Sequence, residues 1–207
     1  MPVFILFIDT ETTGLPRRRA AEHTDLDSFE TCRVVEISAQ LYKYTIDTDP
    51  ALVLEMTHII EPDGFTIEND SIHGITHATA CFNGKPIAAV VKELAWLVTQ
   101  ADLLVAHNMN FDRTVLLSEM HRAGDYESLN TLSDIPTFCT MVNTKDILKI
   151  TMYDDTYKYP KLTELYTWLF NRPPAVSHNA LADVKTTVRC FFELLRRGYY
   201  SLAWLVG

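Results

Sequence analysis

The chain has 207 residues, 47 % of them apolar and 11 % aromatic, with seven glycines and nine prolines, the composition of one packed domain near the upper end of the usual size. Its formal net charge of −9 argues against a large basic footprint on duplex DNA, where each phosphate contact needs a cation, but it does not exclude an enzyme that grips a few nucleotides and lets bound metal ions neutralise its own carboxylates. No stretch approaches the roughly 18 apolar residues of a membrane span, and Cys32, Cys81, Cys139 and Cys190 lack zinc-like spacing, so reduced thiols in a cytoplasmic protein are expected.

The opening run MPVFILFID lacks a basic leader and is short for a secretory signal, so residues 3–8 are expected as a first, central strand. The polar, charged segment PRRRAAEHTDLDSFET, residues 16–31, predicts an exposed loop. RVVEISAQLY (33–42) and LVLEMTHII (52–60) predict two further strands, closed by a Pro-Asp-Gly turn at 62–64. In 85–100, Ile87, Val90, Val91, Leu94 and Val98 fall on one helical face. LLVA (103–106) reads as a buried strand, and HNMNFD after it leads into a helix over 109–123 that ends near Gly124. A helix over 161–170 lies between Pro160 and Pro173-Pro174. The longest helix spans 180–197, striped by Leu181, Val184, Val188, Phe191, Phe192 and Leu195. Three early strands with short links predict antiparallel neighbours, and the later alternation of strand and helix predicts a parallel part. The expectation is an α/β fold in a single domain over 1–207: a mixed sheet, three antiparallel strands then parallel ones, flanked by helices.

The stretch FIDTETTGL carries a strand into two carboxylates. In open α/β sheets ligands gather at the carboxyl ends of strands, and side chains two apart point the same way, so Asp9 and Glu11 converge. Two bare carboxylates side by side repel, which favours a bound Mg²⁺ or Mn²⁺. A lone D-x-E is more often a pair of solvent-facing acids. Asp112 sits early in a helix beside Val115 and Leu116, where an acid needs a partner; alone, it reads as a helix-dipole acid. Asp183 falls in the first turns of the last helix, with His178 just ahead, and each has an ordinary reading of its own.

In order along the chain, FIDTETTG, HNMNFDRTVL and HNALADVKTTVRCFFEL form a set, and with them the chain resembles the DEDDh 3′→5′ exonucleases, which include polymerase proofreading subunits and ribonuclease T-like enzymes. The resemblance implies a ribonuclease H-like fold and two Mg²⁺ or Mn²⁺ ions held by Asp9, Glu11, Asp112 and Asp183, with Asp9 bridging. It implies that His178 takes a proton from water, a role that suits an imidazole with a pKa near working pH. The substrate implied is nucleic acid with a free 3′ end, with DNA favoured and RNA the alternative, single-stranded or frayed, releasing nucleoside 5′-monophosphates. Proofreading or DNA repair would be its setting. Thr12, Thr13, Gly14 and Leu15 correspond to the turn that holds the terminal nucleotide, with Leu15 as an apolar wedge. His73 and Ile75, in SIHGIT, would face that nucleotide from the other side. His107 and Asn108 would orient the second motif, or serve as core and capping residues. A homodimer and a DNA polymerase partner are open expectations of the same resemblance; a membrane partner is not expected.

Some readings stay open at this level. Glu36 is either a support for the metal acids or an outer-face residue. Arg17 to Arg19 either touch phosphates or form a solvated loop, and Lys158, Lys161 and Lys185 are alternative backbone contacts. A dehalogenase-type phosphatase would also place acids after a first strand, with Asp154-Asp155 as a later pair, but it leaves Asp112 and His178 unexplained. An exonuclease-like fold kept as a non-catalytic interaction module is the remaining alternative.

Overall fold

The computed structural model describes residues 1–46, 48–175 and 179–203. Among them, five strands form one sheet: β1 (Val3–Thr12), β2 (Val34–Tyr44), β3 (Ala51–Ile59), β4 (Leu103–Ala106) and β5 (Thr137–Cys139). Their order is β3-β2-β1-β4-β5. β1 pairs antiparallel with β2, and β2 with β3; β1 pairs parallel with β4, and β4 with β5. This is the mixed sheet that the short early links and the later strand–helix alternation predict.

The period of two along β1 divides the molecule into layers. Leu6 and Ile8 face the core that is closed by α3 (Ile87–Thr99) and α4 (Met109–Arg122) through Val90, Leu94, Val115 and Leu116. Val3, Ile5 and Phe7 face the opposite side and meet Val184, Val188 and Phe191 of α8 (Ala180–Arg196). Phe7 packs edge-on to Tyr42 and Phe191, with centroids 5.8 and 5.3 Å away, geometries that aromatic rings favour. α7 (Leu162–Phe170) lies outside α8 and covers Cys190 and Leu194 with Leu165, Tyr166 and Leu169.

Several expectations need correction. β1 runs four residues past Ile8, to Thr12, because β2 continues to pair with it, Glu11 with Glu36 and Thr12 with Val34. The loop over 16–31 is not wholly exposed: a 3₁₀ turn at Leu26–Phe29, capped by the Asp25 carboxylate, drives Phe29 into the core at 1 % exposure. The structure adds the short helices α1 (Asp70–His73) and α2 (His77–Asn83), then α5 (Tyr126–Asp134), β5 and α6 (Thr140–Leu148), elements too short for a periodic pattern to predict. No helix among the described residues is long and apolar enough to cross a membrane.

Candidate active site

Asp9 and Glu11 lie on the side of β1 that faces α8. Glu36 stands opposite Glu11 across the β1–β2 ladder and is 8 % exposed. Its carboxylate accepts a hydrogen bond from Ala180 N, 2.9 Å away, so it fixes the first residue of α8 to the sheet. Asn179 caps that helix by accepting from Ala182 N at 2.9 Å. Anchored in this way, the first turn of α8 brings Asp183 back over β1. Carboxylate oxygens of Asp9, Glu11 and Asp183 all lie within 4.8 Å of one another. Glu36 is therefore neither an edge residue nor a member of this trio; it holds the helix that delivers the third acid.

Asp112 arrives from the other layer. It sits in the first turn of α4, which is preceded by Asn108 in the left-handed region with φ 75°. Its carboxylate accepts from Thr10 N at 3.0 Å and from Thr10 Oγ1 at 2.8 Å. Thr10 lies between the two acids of β1 and points to the opposite face, toward α4. Asp112 is thus pinned beside Asp9 but stands outside the trio, its carboxylate turned to Thr10.

Burial and mutual repulsion set the charges. Burial, then Asp112, Asp183, Glu11 and Glu36 in turn, hold the Asp9 carboxyl well above the usual carboxylate range. Burial with Asp183 and Glu36 pushes Glu11 up to about 7. Burial raises Asp112 to about 7 against the opposing pull of the Thr10 hydrogen bonds. A cluster of carboxylate oxygens whose charges are costly in the metal-free state fits a hard divalent cation, which takes oxygen ligands and offsets the repulsion.

The turn after the acids is tied to the start of β2. Thr13 N donates to Arg33 O at 2.8 Å, Arg33 N donates to Thr13 Oγ1 at 2.9 Å, and Thr31 Oγ1 donates to Leu15 O at 3.0 Å. Thr12 Oγ1 closes the turn on Gly14 O at 2.8 Å. A Cβ on Gly14 would meet Thr31 O at 2.8 Å, so the close approach of the two segments requires glycine there. Leu15 projects from this turn, 74 % exposed. The same β2 start carries a pair that sequence reading did not find: Arg33 and Glu119, 6 % and 3 % exposed, joined at 2.7 Å.

His73 and Ile75 are both buried, at 5 and 6 % exposure. Ile75 packs with Val35, Ile67 and Ala80. His73 Nδ1 accepts from Ile75 N at 3.1 Å, and its Nε2 lies 3.4 Å from Asn69 Oδ1. Asn69 Nδ2 donates to Thr12 O at 3.1 Å. The stretch leading into SIHGIT therefore reaches the turn through Asn69, while the His73 and Ile75 side chains are directed inward and Ile72 is exposed. His107 bridges Thr140 Oγ1 at 2.9 Å and Pro160 O at 3.0 Å, and burial takes its pKa down to about 4, so it is a neutral strut. His178 lies outside the described residues.

Leu15 and Asn108 share a cavity of about 580 Å³ with Arg17, Arg19, Phe111 and Tyr159. A larger cavity of about 840 Å³, lined by Tyr44, Phe192 and Arg196, lies toward the other end of α8, away from the acids. Of the loop arginines, Arg18 turns to Asp25 at 2.9 Å, while Arg17 and Arg19 line the smaller cavity. Lys185 pairs with Glu55 at 3.7 Å and Lys158 pairs with Glu164. Asp154 accepts from Thr156 in an exposed hairpin. Sequence reading also missed Thr10 and Asn69. Only Thr10 left a signal, as the hydroxyl between two site acids.

No curated protein matches the chain in sequence. Solved structures match its fold. Escherichia coli Exonuclease I in complex with a dT13 oligonucleotide is 18 % identical with a TM-score of 0.67, covering 94 % of this chain and 41 % of that one. Exonuclease I from Methylocaldum szegediense is 17 % identical with a TM-score of 0.65, over 94 % and 41 % of the two chains. The zinc-bound form of the E. coli Exonuclease I–single-stranded DNA complex is 17 % identical with a TM-score of 0.64, again over 94 % and 41 %. The chain thus spans about two fifths of the length of these proteins and shares their ribonuclease H-like fold. A family model described as Exonuclease (RNase_T) matches residues 6–191, a span that includes all four acids and the layers that carry them. That coverage settles the family: the chain belongs to the exonucleases, in the DEDDh-type 3′→5′ group.

Proposed function

We propose that the chain is a metal-dependent 3′→5′ exonuclease that removes nucleotides stepwise from single-stranded or frayed 3′ ends, DNA ahead of RNA, releasing nucleoside 5′-monophosphates. The observation that carries this reading is the convergence of Asp9, Glu11 and Asp183 within 4.8 Å, with Asp112 buried against the same strand. The preference for DNA leans on the fold relative that is bound to a dT13 oligonucleotide. The sequence retains all four acids of the motif set, Asp9, Glu11, Asp112 and Asp183, which disfavours a fold kept only as an interaction module. Free thiols at Cys32, Cys81, Cys139 and Cys190 suit a cytoplasmic setting.

Asp9, Glu11 and Asp183 would hold two Mg²⁺ or Mn²⁺ ions, with Asp9 shared and Asp112 completing the set. When bound, such ions make water more acidic and stabilise charge on the attacking and leaving oxygens of an in-line displacement at phosphorus. The water oxygen bonds to phosphorus as the bond to the 3′ oxygen breaks. His178 takes the water's proton, a task for which a neutral imidazole is suited. Leu15 packs against the terminal base, and the Thr12–Leu15 turn, braced by Arg33 and Thr31, fixes the wedge relative to Asp9 and Glu11.

The test is a time course on 3′- and 5′-labelled DNA and RNA oligonucleotides with Mg²⁺ or Mn²⁺, paired with a covalently closed single-stranded circle. The expected result is stepwise loss from the 3′ end of linear DNA and an intact circle. Comparable cutting of the circle would overturn the 3′-end reading.

A further inference from the structure

Between α6 and α7 the chain makes a small hairpin that the acids do not use. Thr151 and Tyr157 form an antiparallel bridge, and Met152 N donates to Thr156 O at 2.8 Å. Asp154 closes the tip by accepting from Thr156 Oγ1 at 2.6 Å, and Asp155 takes the left-handed conformation with φ 60°. A turn this well bonded has a fixed shape, yet it leaves Tyr153 wholly exposed and Tyr159, at its base, 51 % exposed. Two large aromatic side chains thus present ring faces to solvent on one hydrogen-bonded hairpin.

Tyr159 forms one wall of the 580 Å³ cavity, and Arg17 and Arg19 come to that cavity from the loop after β1. The Lys145 ammonium lies 4.9 Å from the Tyr159 ring centroid, which adds positive charge on the same wall. The cavity is joined to the acids through the chain itself. Leu15 follows Glu11 by four residues, and Asn108 precedes Asp112 by four. A cleft lined by Arg17 and Arg19 and by an exposed ring flanked by Lys145 has the composition of a single-strand site, where phosphates meet Arg or Lys and bases stack on aromatic faces. Its volume falls within the range of small-ligand pockets, enough for a nucleotide rather than a duplex.

On the basis of the exonuclease reading, we propose that this cleft, between the Arg17–Arg19 side and the Tyr153–Tyr159 hairpin, is a track for single-stranded nucleic acid: Tyr159 stacks a base and Arg17 and Arg19 hold the adjoining phosphates. A duplex does not present the face of a base to Tyr159, so the track selects unpaired strands. Tyr153 offers a second platform on the same hairpin. In a chain of net charge −9, such a track supplies affinity through stacking and a few cations.

The experiment measures fluorescence anisotropy of a 5′-labelled dodecathymidylate on the native protein, with Ca²⁺ in place of Mg²⁺, over a range of salt. Tyr159→Ala is expected to weaken binding about tenfold, and Tyr159→Phe to restore most of the loss, because stacking needs the ring and not the hydroxyl. Arg19→Gln is expected to weaken binding and to lower the salt slope by about one. Native-like binding by both Tyr159→Ala and Arg19→Gln, or no binding by the native protein, overturns the track. Arg19 is exposed, so its variant keeps the test open should Tyr159→Ala misfold. Binding that depends on Tyr159 and Arg19, without hydrolysis in Mg²⁺ or Mn²⁺, would leave the track standing and refute the exonuclease reading. Hydrolysis with unchanged affinity in both variants would do the reverse.

Discussion

Asp9 concentrates the physical conflict of the site, being buried and repelled by four acids around it. Asp9→Ala is therefore expected to abolish hydrolysis by removing the ligand proposed to be shared, and to raise the melting temperature of the protein in EDTA by relieving that repulsion. Activity assays and thermal melts with chelator check both halves; a lower melting temperature in EDTA would show that the acids are held by contacts stronger than their repulsion. His178→Ala is expected to keep nucleic-acid binding and lose turnover by the roughly 10²–10⁴-fold typical of a positioned base, measured as single-turnover rates. Near-native turnover would remove His178 from the base role. The convergence of Asp9 and Glu11 was legible in the sequence because a strand's period of two needs no tertiary knowledge. The bond from Thr10 to Asp112 was not legible, because it depends on which helix covers the other face of β1.

At the scale of elements, the position of Asp183 depends on how α8 begins. Glu36 and Asn179 satisfy two of its orphan backbone donors, and the Glu36 bond ties this end of the helix to the sheet. Glu36→Ala would leave Ala180 N–H buried without that partner, at a cost of about 1–3 kcal/mol, and would free Asp183 to drift from Asp9. Glu36→Gln retains an acceptor oxygen and is expected to recover most of the stability. Chemical denaturation of the two variants measures this, and equal loss in both would mean that the carboxylate charge matters rather than the hydrogen bond. The long helices α3 and α8 were legible from their apolar stripes, and β4 from four consecutive apolar residues. β5 has three residues and α6 nine, lengths at which a periodic pattern hardly repeats. Phe29 was hidden for another reason: one aromatic in a charged segment carries no period, and only the Asp25-capped turn directs it inward.

For the whole molecule, the crowded acids tie stability to pH in a direction opposite to that of most carboxylates. Asp9, Glu11, Asp112 and Glu36 all have folded pKa values above their ordinary ones, with Glu11 and Asp112 at about 7. An unfolded carboxyl titrates near 4, so between about pH 4 and pH 7 these four groups bind more protons in the metal-free folded protein than in the unfolded chain. Their contribution to stability must then fall as pH rises through that window. His107, held at about 4 by burial, and His73, lowered by burial, work the other way, since below their ordinary pKa the unfolded chain binds protons that the folded one does not. The lowered carboxyls of Asp25, Glu30, Asp154, Glu164 and Glu193 also oppose the raised acids, but only up to about pH 5, where an unfolded carboxyl has lost its proton. From about pH 5 to pH 7 the four raised acids act against the two histidines, and the expected net slope is negative. A divalent cation reverses this, because it binds ionised carboxylates and competes with protons for them. Excess Mg²⁺ is therefore expected to raise the melting temperature strongly near pH 8 and barely near pH 5, following mass action on a site that is protonated at the lower value. Thermal melts across this range, with EDTA and with Mg²⁺, check both expectations. A metal-free melting temperature that climbs from about pH 5 to pH 7 would mean that the acids are already paired in the folded chain, and would remove the electrostatic argument for a metal at this site.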